Sequence, residues 1–409
     1  MTDLFTNPEF WKYLSIPVIA ALIGWITNWM AIKLTFYPKE FIGIRPFLGW
    51  QGIIPSKAEK MARIAVDSTI AKIGTVQEIF EYIDPRVLTQ YIVDHTVPRT
   101  DEYVDEIMLA EHPTFWENLP QKAREMVYQR VRDRSPELVD NLVDDFSNNA
   151  EDLLDIQNMV VTQLGEDRSL LNRIFLECGE KEFRFIINSG LYFGFAFGII
   201  QMIVWYYFQA GWILPFFGLL VGWATNWIAL NFIFRPLYPV KIGPFRLQGQ
   251  FLRRQPEVAQ SFCHIVTHEI LTVGNLVDAI LNGPKADRAR NLVRKHMKKL
   301  VDETAGMGKA FTQMAFGPTS FANLKQRVGD LSIEIASETF DDPMFANDRA
   351  AAVEDIMRRR MEELSPAEFQ ELLRPCFQED EIKLIAAGAA LGFLAGLAQL
   401  TFIFGATMF

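Results

Sequence analysis

Four long apolar runs dominate this sequence. They cover residues 14–36, 186–208, 212–234 and 384–409, and the only charged side chain in them is Lys33. A helix rises 1.5 Å per residue, so about 20 apolar residues cross the hydrocarbon core of a bilayer. We therefore predict a mainly α fold, a membrane protein with four spanning helices.

A second feature is an internal duplication at a constant offset of 198 residues. Residues 17–47 and 215–245 are identical at 13 of 31 positions, where chance gives roughly one or two, and such self-similarity indicates a repeat architecture. We predict two tandem units of a spanning helix, a helical soluble domain and a second spanning helix, in parallel orientation. Repeat 1 is residues 1–209, with spans 14–36 and 186–208 around a soluble part 37–185; repeat 2 is residues 210–409, with spans 212–234 and 384–409 around a soluble part 235–383.

The distribution of basic residues predicts the orientation. Lys and Arg accumulate on the cytoplasmic side of membrane proteins. The only basic residue that we expect near the opposite face is Lys12. We therefore predict a multi-pass membrane protein with both soluble parts in the cytoplasm and both termini outside. The basic residues expected close to the membrane on the soluble-domain side are Lys39, Arg45, Lys181, Arg184, Arg235, Lys241, Arg246 and Lys383.

The two long connections carry helical patterning. Apolar residues recur every three or four positions, for example from Met61 to Phe80 and from Leu292 to Val301, which is typical of amphipathic helices. Residues 41–55 and 240–251, which follow the first and third spans, are the exception. There we predict short extended pieces or an interfacial hairpin.

Both repeats contain the motif Gly-Trp-x-Thr-Asn-Trp inside a span. An Asn amide in hydrocarbon is costly unless it is hydrogen-bonded. One interpretation is that the pair joins helices, since interhelical hydrogen bonds contribute to packing in membranes; the other is a polar site for a lipid head group or an ion at the repeat interface. The polar residues are Thr27, Asn28, Thr225 and Asn226, and the residues assigned to the interface are Trp25, Trp29, Trp223, Trp227 and Arg235.

The second and fourth spans each carry a glycine at every fourth position. This spacing places the glycines on one helix face, where another backbone can approach closely. We predict that these glycines pack helices together and do not line a passage. They are Gly190, Gly194 and Gly198 in repeat 1 and Gly388, Gly392 and Gly396 in repeat 2.

Signatures of catalysis are missing from the sequence. It contains no phosphate-binding glycine loop, nucleophile elbow or dinucleotide fingerprint, so we expect no enzyme activity, no catalytic residue and no cofactor. His264 and His268 are one helical turn apart, but the order is not His-Glu-x-x-His and no third ligand is evident near them in the sequence. We therefore expect no metal site.

Charge excludes one class of partner. The chain has 40 basic and 50 acidic residues, a net charge of −10, whereas nucleic-acid-binding proteins usually carry a basic domain or stripe. The expected partners are membrane lipids, with a further copy of the chain or an unknown protein as an alternative, and no nucleic acid.

The repeated motif resembles a family of bacterial membrane proteins known as domain of unknown function 445, which includes the YheB-type and YjiN-type proteins. The pattern is Thr-Asn-x-x-Ala-Ile-x-x-x-Phe-x-Pro, and family members usually carry Arg before the Pro. Repeat 2 keeps Arg235, whereas repeat 1 has Tyr37. The resemblance implies a multi-pass protein of the bacterial inner (plasma) membrane and carries no established activity. The matching residues are Thr27, Asn28, Ala31, Ile32, Phe36 and Pro38, then Thr225, Asn226, Ala229, Leu230, Phe234 and Pro236, together with the stretch 181–186 and its degenerate copy 379–384.

Three functional hypotheses follow from these features. The first is a non-catalytic membrane-anchored scaffold that handles lipids or organises the envelope, with an apolar groove for acyl chains. The second is a transporter or channel formed by oligomerisation, with the Thr-Asn pairs at the repeat interface. The third is an enzyme whose acidic or histidine residues come together only on folding.

Overall fold

A computed structural model describes residues 8–44, 48–73, 75–306, 317–340, 343–378, 381–402 and Gly405. Over these residues the chain forms helices and two short β-hairpins, as predicted for a mainly α protein. The elements in chain order are α1 Pro8–Phe36, β1 Ile42–Ile44, β2 Leu48–Trp50, α2 Ile53–Ser56, α3 Ala58–Ile73, α4 Val76–Ile83, α5 Pro85–Thr96, α6 Thr100–Glu111, α7 Pro113–Asn118, α8 Gln121–Asn148, α9 Ala150–Leu153, α10 Ile156–Glu166, α11 Arg168–Cys178, α12 Glu180–Tyr207, α13 Ile213–Phe234, β3 Val240–Ile242, β4 Phe245–Leu247, α14 Gln250–Arg253, α15 Gln255–Ile265, α16 Val273–Asn282, α17 Ala286–Ala305, α18 Pro318–Thr339, α19 Pro343–Glu363, α20 Pro366–Gln378 and α21 Glu381–Phe402.

Four of the described helices are long and apolar enough to cross a membrane. The candidate spans are Tyr13–Phe36 in α1, Glu180–Tyr207 in α12, Ile213–Phe234 in α13 and Glu381–Phe402 in α21. They confirm the four predicted spans. Helix α12 begins at Glu180, before the predicted span 186–208, because its first residues are polar and were not part of the apolar run. For the fourth span, residues 403, 404 and 406–409 of the predicted range lie outside the described residues.

The first of two compact units contains all four candidate spans, and we call it the membrane unit. It comprises Met1–Ser68, Gln163–Phe262 and Arg360–Phe409. Within it α1 packs along α12 and α13 packs along α21. An apolar cluster that includes Ile16 and Leu214 lies in the same bundle.

Both β-hairpins belong to the membrane unit and follow α1 and α13. Strands β1 and β2 are antiparallel, as are β3 and β4. The first hairpin is joined to α1, because the Trp50 indole N–H donates to the Leu34 carbonyl at 3.1 Å. The amide of Asn172 in α11 donates to the last carbonyl of α1, that of Phe36, at 2.7 Å. The predicted extended segments after the first and third spans are therefore confirmed as hairpins.

The second compact unit, here the helical unit, comprises Thr69–Thr162 and Cys263–Arg359. Local sequence sets its helix starts. Thr75 and Glu78 form a capping box ahead of α4, which satisfies backbone N–H groups that have no partner inside the helix. Helices α5, α7, α18 and α19 each begin at a proline, whose fixed φ suits the first helical position.

A shared carboxylate joins three helices of the helical unit. Asp105 in α6 accepts a hydrogen bond from the Trp116 indole of α7 at 2.8 Å and from the Tyr128 hydroxyl of α8 at 2.5 Å. Burial, followed by the hydrogen bond to Asp105, raises the pKa of Tyr128 to about 12. The phenol therefore remains a hydrogen-bond donor at neutral pH.

The compact units do not follow the predicted repeat boundaries. Each unit contains segments from both residues 1–209 and residues 210–409. A sequence repeat describes chain order, whereas a compact unit is defined by packing in space. The repeat boundaries therefore stay a prediction about the duplication of the chain.

Candidate functional site

The polar motif of repeat 1 is buried and bonded across a helix pair. Asn28 is fully buried in α1, and its amide N–H donates to the Ile186 carbonyl of α12 at 2.7 Å. Thr27 is also buried, and its hydroxyl donates to the Gly24 carbonyl of its own helix at 3.1 Å. The structure thus joins Asn28 to the helix that carries the glycines of repeat 1.

The motif of repeat 2 makes the same contacts 198 residues later. The Asn226 amide donates to the Leu384 carbonyl of α21 at 2.9 Å, and Thr225 contacts the Gly222 carbonyl at 3.4 Å. Each Asn therefore bonds the helix of its own repeat. These contacts favour the helix-joining interpretation of the motif.

The glycines of α12 and α21 lie against the backbone of the paired helix. A Cβ atom added to Gly190 would overlap the Gly24 carbonyl, and one added to Gly388 would overlap the Gly222 carbonyl and the Asn226 amide. Small side chains allow this close approach. The other members of the pattern make similar backbone contacts: Gly194 with Ala20 and Ala21, Gly198 with Pro17, Gly392 with Gly218, and Gly396 with Leu214 and Pro215.

The four tryptophans of the motif point outward. Trp25, Trp29, Trp223 and Trp227 are all exposed, and the Trp223 and Trp227 rings stack with centroids 6.0 Å apart. Arg235 is exposed just beyond the C-terminal end of α13. Trp25 and Trp223 lie at the middle of their candidate spans, and Trp29 and Trp227 lie one turn later. Only Arg235 is at a span end, so the assignment of the tryptophans to the membrane interface stays a prediction.

An ion-pair cluster joins the start of α12 to α14 and α15. Arg254 Nη1 lies 2.8 and 2.7 Å from the two carboxylate oxygens of Glu182, and the Glu182 side chain is 3% exposed. Arg254 Nε also donates to Glu257 at 2.8 Å, and Lys181 donates to the same oxygen at 2.6 Å. Hydrogen bonds from Lys181 and then Arg254 lower the pKa of Glu257 to about 2. This cluster connects residues from the two halves of the chain.

The helical unit contains a partly open apolar cavity of about 560 Å³. Its described walls are formed by residues 80–146 from one half of the chain and by residues 277–305 and 321–340 from the other. Small-molecule sites typically have volumes of about 300–1,000 Å³ and mostly apolar walls. The described lining residues include Phe80, Ile107, Trp116, Leu138, Val139, Met297, Leu300, Phe321 and Ala336.

Among the described residues that line this cavity, Arg130 alone is charged. Its guanidinium donates to the Thr304 carbonyl at 3.2 Å, and Arg130 itself is exposed. The Thr304 hydroxyl also lines the cavity and is buried, with no hydrogen-bond partner among the described residues. One edge of the cavity therefore offers a cation and an unused hydroxyl, while the rest of the wall is nearly all apolar.

Sequence reasoning anticipated an apolar groove but not these residues. Arg130 and Thr304 are 174 positions apart, and neither belongs to a recognisable motif. In the sequence, this cavity is indicated only by apolar stripes and isolated hydroxyl residues on the predicted helices. That signal does not tell which faces meet.

Comparison with known proteins gives short matches to membrane proteins. The chain is 32% identical over 74 residues to a UPF0754 membrane protein of Microcystis aeruginosa, which covers 18% of each chain. It is 34% identical over 73 residues to a UPF0754 membrane protein of Nostoc sp., which covers 17% of this chain and 18% of the relative.

No family model matches the chain. The matched stretches span less than a fifth of the length of the two relatives. The finer resemblance to domain of unknown function 445 therefore stays a prediction. Together with the four apolar helices, the matches support an integral membrane protein with similarity to an uncharacterised membrane family.

Proposed function

We propose that this protein is a non-catalytic membrane protein that binds a lipid in the cavity of its helical unit. The observation that carries the proposal is the apolar cavity of about 560 Å³, in which Arg130 is the single charged residue among the lining residues that the structure describes. An acyl chain suits such walls, since each buried methylene contributes about 0.8 kcal/mol. Because the same chain contains four candidate membrane spans, the helical unit is tethered to a source of acyl chains.

Arg130 suggests the head group. A guanidinium forms strong, charge-assisted hydrogen bonds with carboxylate and phosphate groups. The Thr304 hydroxyl, which has no partner among the described residues, supplies a further donor at the same edge. The expected ligand is therefore an anionic amphiphile, with its acyl chain in the cavity and its head group at Arg130.

Filling the cavity is the direct test. Ala336 lines it from α18, and an Ala336→Phe side chain occupies space that an acyl chain would need. Displacing about two methylenes costs about 1.6 kcal/mol, or roughly a 15-fold loss in affinity. The measurement is quantitative mass spectrometry of lipid retained by protein purified in mild detergent, with Arg130→Gln expected to deplete anionic species selectively.

Two matched variants control for nonspecific effects. Ala322 is exposed on the same helix as Ala336 and does not line the cavity, so Ala322→Phe should retain lipid like the wild type. Arg134 is an exposed arginine on the same helix as Arg130, and Arg134→Gln serves as its control. Recovery of only bulk membrane composition from the wild type, with no retained species, would refute lipid binding.

The proposal includes the membrane arrangement predicted from the sequence. We infer a tandem duplication in the bacterial inner membrane, with both connections in the cytoplasm and both termini outside. Support for the duplication comes from the recurrence of the Asn28–Ile186 hydrogen bond as Asn226–Leu384. The orientation rests on the Lys and Arg bias alone. A scaffold role within the envelope is compatible with the same arrangement.

A second candidate function, transport, is favoured by one observation. The Oδ1 atoms of Asn28 and Asn226 are buried and have no hydrogen-bond partner among the described residues. Buried polar atoms are normally paired, so each oxygen is available to a polar solute or a cation. Four spans form a narrow bundle, so a pore of this kind would require more than one copy of the chain.

Replacing the amide side chains of Asn28 and Asn226 distinguishes transport through the spans from lipid binding in the helical unit. If the protein is a transporter, Asn28→Leu with Asn226→Leu should abolish ion or solute flux in reconstituted vesicles while lipid retention by the helical unit is unchanged. The control is Asn231→Leu, because the Asn231 amide donates within its own helix, to the Trp227 carbonyl. Unchanged flux in a folded double variant would exclude this pathway.

A further inference from the structure

A cluster in the helical unit brings two histidines and a carboxylate together. His264 lies in the last turn of α15 and His268 follows one turn later, and their ring centroids are 4.2 Å apart. The segment Val266–Ile270 between α15 and α16 is a π-helix, in which the Leu271 N–H donates to the Val266 carbonyl at 2.7 Å. Single π-turns within helices are rare and are frequent at functional sites.

Glu354 of α19 supplies the group that is absent from the local sequence. Its Oε2 atom lies 3.1 Å from His264 Nδ1 and 3.5 Å from His268 Nδ1. One ligand atom from each of the three residues fits within 4.8 Å of the others. The expectation that the histidines lack a third ligand holds for the sequence around them but fails in space, because Glu354 is 90 positions later.

These distances suit a bound metal. Ligand atoms held about 2.0–2.2 Å from a tetrahedral Zn²⁺ are roughly 3.4 Å apart, close to the 3.1 Å between His264 Nδ1 and Glu354 Oε2. His268 Nδ1 also lies 3.0 Å from the His264 carbonyl oxygen, so His268 would bind the metal through its other ring nitrogen or give up that contact. Imidazole nitrogen with carboxylate oxygen is a donor set for Zn²⁺ and neighbouring divalent metals. We propose that His264, His268 and Glu354 bind a divalent first-row transition metal, with positions left open for water or an exogenous ligand.

The site belongs to the second half of the chain. At the 198-residue offset, His264 corresponds to Val66 and His268 to Ile70, so the first half lacks both nitrogen ligands. We therefore expect a stoichiometry of one metal ion per chain at this cluster. Metal binding is independent of the proposed lipid function, because His264, His268 and Glu354 do not line the apolar cavity.

A simple ion pair is the competing explanation, and the chain contains an internal example of one. His296 in the helical unit lies 2.8 Å from Asp145. That pair shares the histidine and carboxylate chemistry, but it is not among the groups of three ligands found in the described residues. His296→Gln is therefore a matched control.

Zn²⁺ titration of the full chain tests the proposal. Chelator-treated protein in detergent micelles is titrated with ZnCl₂ in a calorimeter, and the wild type should bind one equivalent. His264→Gln and Glu354→Gln should each weaken binding at least about tenfold, since loss of even an outer-shell partner costs 10–100-fold. His264→Val with His268→Ile, which installs the repeat 1 residues, should abolish it, while His296→Gln should match the wild type.

Folding is checked on the same samples by circular dichroism and by retained lipid. His264 is the most exposed of the three side chains, so His264→Gln should leave both readouts unchanged. The proposal is overturned if the wild type binds no Zn²⁺, or if the cluster variants bind it as the wild type does. Equal weakening by His296→Gln would also overturn it, because it would indicate adventitious binding by histidine–carboxylate pairs.

Discussion

Gly190→Leu is expected to destabilise the membrane unit by about 2–4 kcal/mol, which should sharply lower the yield of folded protein. The new side chain would enter the space held by the Gly24 carbonyl and the Asn28 amide. Overpacking alone costs about 1–3 kcal/mol, and loss of the Asn28–Ile186 hydrogen bond adds about 0.6 kcal/mol. The measurement is the thermal midpoint of the detergent-solubilised protein, followed by size-exclusion chromatography.

The same helix provides the control. Ala196 is exposed on α12, so Ala196→Leu adds similar volume without meeting α1 and should leave the midpoint unchanged. Gly388→Leu, at the corresponding position in α21, should repeat the effect of Gly190→Leu because its added side chain meets the Gly222 carbonyl and the Asn226 amide. A Gly190→Leu protein as stable as Ala196→Leu would show that the close approach of the helices is not required.

Arg254→Leu is expected to destabilise the membrane unit by about 3–5 kcal/mol, because removing one partner of a buried ion pair leaves the other charge buried. Glu182 would lose both of its hydrogen bonds from Arg254 Nη1, and its side chain is only 3% exposed. The Lys181–Glu257 pair is exposed, so it should contribute little. Thermal unfolding at neutral pH provides the measurement.

A second substitution distinguishes charge burial from loss of packing. In Arg254→Leu with Glu182→Leu no charge is left unpaired, and buried ion pairs can often be replaced by apolar residues at little cost. The double variant should therefore recover most of the lost stability. Arg253→Leu, at the exposed neighbouring position, should behave like the wild type. A double variant as unstable as the single one would contradict the charge-burial explanation.

The membrane helices were predictable because their signal is local. An uncharged run such as residues 212–234 has one stable structure in lipid, a helix whose backbone hydrogen bonds are all internal. The hairpins were predictable for a related reason, since short extended segments interrupt the helical pattern directly after the first and third spans. The four-residue glycine spacing also indicated which face of α12 would meet another helix, although it did not indicate that α1 would be the partner.

The candidate sites were less predictable because each depends on residues far apart in the chain. Glu354 approaches His264 across 90 positions, and Glu182 approaches Arg254 across 72. Periodicity assigns a residue to a helix face, but it does not tell which faces meet. The cavity has the same origin, because no single helix signals that apolar side chains from residues 80–146 and 277–340 will enclose a space.

The cavity wall is formed by two stretches of sequence that are far apart in the chain, and this has a consequence for biosynthesis. The apolar side chains of residues 80–146 have their full partners only after residues 277–340 have been translated. At typical synthesis rates of about 5–20 residues per second, that interval is about 10–40 s. During it the apolar face formed by residues 80–146 lacks these partners, and the cavity is completed only late in translation.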